Sequence, residues 1–316
     1  LKSYTLLFFI VVIGLTGCDY QQASSTPKTI GWLVETSAED QAWGEKGYEG
    51  IKAIEEKYDT NVIVKENINT TSDTESAVDE LAERGADIIF GHGNFYSQTF
   101  QNVHQSYPDI HFIYFNGEFS AENVTALNFS SGAMGFFAGM VAGDMTETGR
   151  VGLIAAYEWQ PEVEGFYAGV MHQNPQAKVS MSYTNSWESV GRAKAIYDQM
   201  VLDGADVFYP AGDNFNLPII KRAERDELYA IGYVEDQLKN AKNTVLTSTV
   251  QRVDHLYVQA IEQYINGDLK GKVMEYDFQE GAIELGEYSE VVDKEVITEV
   301  NEAVEVYKNT GKLPFN

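Results

Sequence analysis

Cysteine is nearly absent from this chain of 316 residues, with Cys18 the only one. No disulfide can form within the chain, and no cysteine-rich metal site exists. Basic residues are scarce as well. Lys and Arg total 22 against 48 Asp and Glu, a formal net charge of −26. So acidic a body repels phosphate backbones, which argues against direct nucleic-acid binding. The enzyme signatures His-Glu-x-x-His, Gly-x-Ser-x-Gly and the Walker loop are missing. Gly91-His92-Gly93-Asn94-Phe95-Tyr96 lacks the third glycine of a dinucleotide fingerprint. His92 has no second His or Cys at ligand spacing, so no metal site is read. No cofactor and no catalysis are expected.

Apolar runs of membrane-spanning length are also lacking. Tyr4 to Leu15 (YTLLFFIVVIGL) is about a dozen residues, short of the roughly 20 a spanning helix needs. With Lys2 ahead of it, it reads as the apolar region of a signal peptide, residues 1–17. Leu15-Thr16-Gly17-Cys18 follows and resembles a bacterial lipobox, which implies lipidation of Cys18. The polar stretch after it makes residues 18–28 a lipid-bearing flexible tether. The expectation is a body held by lipid on the extracytoplasmic face of the cell membrane.

What the chain does have is apolar material and a repeat. Hydrophobic residues make up 44% and aromatics 12%, enough for large cores. At roughly 150 residues per domain, about two domains are expected. ESAVDELAERGADIIFGHG, starting at Glu75, is echoed by GRAKAIYDQMVLDGADVFYPAG, starting at Gly191. Each is an amphipathic helix, then Gly-Ala-Asp, then a short β-branched or aromatic strand, then a Gly-containing loop. The two glycines, Gly85 and Gly204, suit a helix C′ position. Upstream, TIGWLV (Thr29 to Val34) and RVGLIA (Arg150 to Ala155) read as strands. Gly47-Tyr48-Glu49-Gly50 opens a helix after the first, and Gly165 to Gly169 follows the second. Downstream, HFIYF (His111 to Phe115) and YAIGY (Tyr229 to Tyr233) are a third pair of strands. Strand–helix alternation of this kind predicts an α/β fold with parallel sheets and right-handed crossovers. The lobes are expected at 29–127 plus about 250–280, and 128–249 plus about 281–316.

Two such lobes imply a cleft, and ligands sit beyond the C-terminal strand ends. The loops there carry Asp40, Trp43, His92, Asn94, Asn116, Tyr209, Asp213 and Asp236, which together with Phe166 and Gln251 are the candidate ligand-binding residues. Each has a plainer role. Trp43 is a stacking platform or a core aromatic. Asn116 touches ligand or forms a turn beside Gly117. Asp213 binds ligand or caps the next helix. Tyr209 is a second stacking ring or a packing residue. His92, between two glycines, lies near the mouth. Phe166 sits on a helical stretch and reads mainly as lobe packing. Asp236 is a ligand or hinge residue, or a solvated turn.

The blocks DQAWGEKGYEG (from Asp40), AMGFFAG (from Ala133), GFYAG (from Gly165) and IGYVEDQ (from Ile231) resemble the BMP family. These are basic-membrane-protein lipoproteins, including PnrA-like purine-nucleoside-binding components of ABC importers. The resemblance covers nearly the whole chain after Cys18. It implies a type I periplasmic-binding-protein-like fold, with two Rossmann-like lobes joined by crossing hinge strands. It also implies a small ligand, nucleoside-like in part of the family, and an ABC permease or a membrane regulatory partner. Several positions depart from the nucleoside-binding pattern. Ala42-Trp43-Gly44 stands for Ser-Phe-Asn, Val234 for an Asp that grips ribose hydroxyls, and Gln251 for a Lys. Each lost hydrogen bond costs about 1–3 kcal/mol of ligand recognition. The resemblance also implies a second class of function, a regulatory lipoprotein of the same family that is a positive regulator of competence gene expression, and the substituted positions fit its having lost or altered ligand binding.

Overall fold

The structure, a computed structural model, describes residues 26–38, 42–269 and 271–314. The signal peptide, Cys18 and most of the tether lie outside the described residues, as does Asp40. Among the described residues no helix is long and apolar enough to cross a membrane.

The chain begins β1 (Thr29–Leu33), α1 (Ala42–Tyr58), β2 (Asn61–Lys65), α2 (Thr71–Glu83), β3 (Ile88–Gly91), α3 (Ser97–Val103), β4 (His111–Phe115) and β5 (Val124–Phe129). It continues α4 (Ser131–Met145), β6 (Arg150–Ala155), α5 (Pro161–Gln173), β7 (Lys178–Tyr183), α6 (Val190–Leu202), β8 (Val207–Ala211), α7 (Asn216–Arg225), β9 (Tyr229–Val234) and β10 (Val245–Gln251). It closes with α8 (Val253–Ile265), β11 (Val273–Tyr276), β12 (Ile283–Leu285) and α9 (Lys294–Thr310). The strands form two six-stranded sheets, ordered β2-β1-β3-β4-β5-β11 and β7-β6-β8-β9-β10-β12. The first is parallel throughout; in the second only β12 runs antiparallel, against β10. The five leading strands of each half thus take the same doubly wound order.

The echoed Gly-Ala-Asp has a physical cause in both lobes. Gly85 and Gly204 end α2 and α6 at φ +75° and +87°, where a side chain would be strained. Ala86 N–H and Ala205 N–H then reach back to Leu81 and Met200 carbonyls. The Asp carboxylates collect backbone N–H groups ahead of each lobe's first strand. Asp87 accepts from Lys28 and Thr29, and Asp206 from Glu147 and Thr148.

Both faces of the central strands are covered, which is why these strands read as unbroken apolar runs, while the edge strand β7 is largely exposed. Along β4, Ile113 and Phe115 face one core, while Phe112 and Tyr114 face another. Along β8, Val207 and Tyr209 alternate with Phe208 in the same way. The chain passes between sheets three times: from β5 to α4, from β10 to α8, and from β11 to β12. A single apolar cluster, including Ile30, Phe115, Phe136, Tyr209 and Tyr307, runs through both lobes.

Glycine spacing sets two close helix contacts. Gly47 and Gly50 lie inside α1 rather than opening it, because the helix starts five residues earlier at Ala42. A Cβ on Gly47 would lie 2.5 Å from the His92 ring, and one on Gly50 would lie 2.4 Å from the Tyr257 ring. Between α4 and α5 the approach is backbone to backbone. A Cβ on Gly139 would meet the Phe166 carbonyl at 2.3 Å, and one on Gly169 the Phe136 carbonyl at 1.9 Å. This seam joins the helix after the first crossing to the helix whose first turn carries Glu162.

Candidate functional site

In each sheet the strand order reverses between its first and third strands, the place where open α/β sheets hold their ligands. In lobe 1 the flanking residues are Glu35 after β1 and His92 after β3. In lobe 2 they are Tyr157 to Gln160 after β6 and Gly212-Asp213 after β8. His92 and Asp213 both follow the third strand of their lobe, although by register His92 matches Ala211 and Asp213 matches Asn94.

His92 is 2% exposed and sits in a chain of hydrogen bonds that fixes its tautomer. The Trp32 indole N–H donates to the Tyr257 hydroxyl at 2.8 Å. That hydroxyl donates its own hydrogen to His92 Nδ1 at 2.9 Å. His92 Nε2 lies 2.7 Å from the Trp43 carbonyl, which can only accept, so Nε2 carries the hydrogen. Burial pushes the imidazole pKa down to about 4, against a smaller opposing pull from the Trp43 carbonyl. The ring is neutral at physiological pH. It is also a platform: the Trp43 indole stacks on it at 4.6 Å and 13°, with Phe115 and Phe129 edge-on to Trp43. His92 thus holds both the ring and the carbonyl of the second residue of α1.

Trp43 links the lobes. Its backbone N–H donates to Asp213 Oδ1 at 3.2 Å. Burial raises the Asp213 pKa to about 6; the Trp43 N–H opposes this and the nearby Glu188 charge adds to it. Asp213 does not cap α7, whose N-cap is Phe215 with no side-chain bond. Instead the Asn216 side chain donates to the Asp213 and Gly212 carbonyls and shapes the loop. On the lobe 1 side, burial and the Glu188 charge also raise the Glu35 pKa. Glu188, from the loop after β7, is therefore close enough to act on carboxyls of both lobes. The sequence reading did not single out Glu35 or Glu188. Among 48 acidic residues no spacing marks these two.

The floor of lobe 2 holds a second network that the sequence reading missed. Glu162 is 4% exposed and accepts from Gln160 Nε2 at 2.9 Å and from the Tyr233 hydroxyl at 3.0 Å. Burial raises its pKa. Phe166 and Tyr209 stack on each other at 4.7 Å, both fully buried, and the Tyr209 hydroxyl pairs with Thr249 at 3.1 Å. Neither ring exposes a face.

The other candidates spread out. Asn94 is exposed at the start of a single 3₁₀ turn. Asn116 is exposed at the end of β4 in the left-handed region, φ +57°. Val234, the last residue of β9, holds the matching place at φ +69°, a conformation a β-branched side chain rarely takes. Asp236 is occupied by the Leu238 and Glu287 N–H groups at 3.1 and 2.9 Å. Gln251, 7% exposed, reaches Ser131 Oγ at 3.5 Å, which joins two of the crossing segments. The structure brings Trp43, His92 and Asp213 together at the junction of the lobes, and Phe166 with Tyr209 in the core of lobe 2. Two surface hollows, of about 590 and 410 Å³, lie at the opposite, N-terminal strand ends, beside His111 and Arg150. Among the described residues no group of three His, Cys, Asp or Glu side chains is placed to hold a metal ion.

The pattern of the PnrA-like ABC transporter substrate-binding proteins, Bmp, matches residues 28–315. The chain belongs to the Bmp family. It is 40% identical over 311 residues to the transcriptional activator protein med of Bacillus subtilis (strain 168), covering 98% of each chain. It is 26% identical over 297 residues to a purine-binding protein of Brucella abortus (strain 2308), covering 92% of this chain and 80% of that one. Among solved structures, a transcriptional activator of the comK gene from Bacillus halodurans superposes with a TM-score of 0.86. That match has 40% identity and covers 91% of this chain and 100% of the other. The fold is the type I periplasmic-binding-protein architecture of two Rossmann-like lobes.

Proposed function

We propose that this chain is a lipid-anchored, extracytoplasmic clamp whose lobes close on a small ligand, and whose closed form acts on a membrane partner to regulate gene expression. The observation that carries the reading is the Trp43–Asp213 bond between lobes, set at the crevice of each sheet. Residues so placed feel both the ligand and the degree of closure. A ligand shifts that closure only by binding one state better than the other. The kinship with two proteins described as transcriptional activators supports the regulatory output. The charge of −26 favours a route through a partner over contact with DNA. Cys18, if lipidated, supplies the anchor.

A second reading is delivery of a nucleoside-like solute to an ABC importer, which the purine-binding relative favours. Trp43 keeps a ring able to stack on a base, whereas Gly44 and Val234 remove polar groups that the nucleoside-binding pattern carries. Calorimetric titration with purine nucleosides separates the two. Tight binding together with a nucleoside uptake defect in a deletion strain supports delivery. Loss of reporter gene expression in the deletion strain with normal uptake supports regulation. An unaltered reporter overturns the regulatory reading.

A further inference from the structure

We propose that the open edge of the second sheet, strand β7, pairs antiparallel with β7 of a second copy of this chain. β7 is the outermost strand, beside β6, and its residues KVSMSY run in unbroken register from Arg150↔Lys178 to Ala155↔Tyr183. In such a ladder alternate residues bond the neighbouring strand. Lys178 N–H donates to the Gly149 carbonyl and Thr184 N–H to the Ala155 carbonyl, so the even-numbered residues face β6. The backbone N–H and C=O groups of Val179, Met181 and Tyr183 therefore point away from the sheet. Among the described residues nothing is hydrogen-bonded to them.

Folded proteins blunt such an edge with proline, a bulge, several charges or a covering segment. β7 has only Lys178, at its first position. The other edge strands, β2, β11 and β12, each contain a buried residue: Ile63, Tyr276 and Ile283. β7 contains none. It is nonetheless held in place, because Val179 and Tyr183 pack against the core from one face. Met181 lies between them on that face and is 41% exposed. The edge runs along the side of lobe 2, away from β6, and its pairing requires no ligand between the lobes.

The spacing of the open groups selects the occupant. Val179, Met181 and Tyr183 are symmetric about Met181. A two-fold axis there sets Val179 of one copy opposite Tyr183 of the other, and Met181 opposite Met181. Each facing pair exchanges two hydrogen bonds, so the three pairs satisfy every open group on both edges. A register shifted by two residues keeps only two of the pairs. Two-fold pairing is self-complementary and closes at a dimer. The side chains add a β-branched–aromatic pair on each side of the methionine pair. Lys178 is the sole charge in residues 177–185, and this register sets it against Thr184, so no like charges face each other. The net charge of −26 on each copy opposes approach, and salt screens it, with a Debye length of about 10 Å at 0.1 M. The dimer therefore strengthens as salt rises, whereas a basic strand from another protein would be released.

The test is disulfide capture in the full chain carrying Cys18→Ser, which removes the only native thiol. Met181→Cys should cross-link to its own copy on mild oxidation, because facing Cα atoms in such a pair lie about 5.5 Å apart, within disulfide reach. Val179→Cys alone and Tyr183→Cys alone should not, since each sits about 13 Å along the strand from its counterpart. The double variant Val179→Cys/Tyr183→Cys should. Sedimentation equilibrium without introduced cysteine should show a dimer that gains severalfold in affinity from low to high salt. Met181→Lys sets two ammonium groups face to face and should weaken that dimer about fivefold. Met181→Leu should leave it within about twofold. Met181 is already partly in water, so neither change endangers the fold. A monomer at every concentration and salt, cross-linking by Val179→Cys alone, or a dimer indifferent to Met181→Lys would each overturn the proposal. So would capture of a different chain by Met181→Cys in intact cells with no self-dimer, which would assign the edge to another protein.

Discussion

Trp43 in lobe 1 and Asp213 in lobe 2 are joined by a backbone N–H to carboxylate hydrogen bond of 3.2 Å. One partner is positioned by His92 and the other by the Asn216-shaped loop after β8. The bond favours the charged carboxylate, while burial and Glu188 favour the neutral one, and the opposing pulls leave the pKa at about 6.

That balance predicts opposite effects for two substitutions. Asp213→Asn keeps an acceptor and removes the charge, so it should favour the closed arrangement at pH 7.5. Asp213→Ala removes the acceptor and should open the lobes, by roughly tenfold in the closed–open equilibrium. Small-angle scattering reads both. A carboxyl held above its usual value binds its proton more tightly when buried in the closed form. The gain from Asp213→Asn should therefore be full above pH 6 and fade as pH falls toward 4.

His92 titrates with the opposite sign. Its pKa of about 4 lies below the 6.5 of a free imidazole. The stability it contributes is complete above pH 6.5 and is lost as pH falls toward 4, because the unfolded chain takes up the proton first. Nitrogen-15 NMR of the ring should show a neutral imidazole with hydrogen on Nε2 at pH 5.5. Titration near 6.5 would show that the Trp32–Tyr257–His92 chain is not as described.

The α4–α5 seam should tolerate no side chain. Gly169→Ala places a methyl 1.9 Å from the Phe136 carbonyl, a backbone atom that cannot turn aside. A loss of about 3 kcal/mol is expected in denaturant melts. Gly191→Ala in α6 meets open space and should gain about 0.5–1 kcal/mol.

Glu162 is held as an acceptor for Gln160 and Tyr233. Glu162→Gln offers the same oxygen and should change stability by less than about 1 kcal/mol at pH 7. Glu162→Ala leaves the buried Tyr233 hydroxyl and Gln160 amide without that acceptor and should cost about 2–4 kcal/mol. Equal losses in the two variants would mean that volume, not hydrogen bonding, sets the cost.

Much of the architecture was legible because it rests on local chemistry. Gly85 and Gly204 announce left-handed helix ends, and the strands at His111 and Arg150 are apolar on both faces because both faces are buried. The start of α1 was not legible, since Gly47 and Gly50 look like punctuation. They are instead clearances for His92 and Tyr257, and Tyr257 is more than 200 residues away in sequence. The same distance effect hid most of the site. Trp43, His92 and Asp213 stand out as rare or loop-placed residues, but Glu35, Glu162 and Glu188 gain meaning only when folding brings them to the crevice or the lobe 2 floor. Val234 shows the limit of pattern reading. The sequence marks a missing Asp, whereas the backbone shows a left-handed position that Asn116 matches in the other lobe.

The account centres on a small ligand held between the lobes. Native mass spectrometry of the full chain purified from its own host tests it most directly. The account predicts a noncovalent mass excess below about 1 kDa that collisional activation removes, and that Asp213→Ala reduces. A bare protein mass in both the wild type and the variant, with no small molecule able to restore an excess when added, would contradict it.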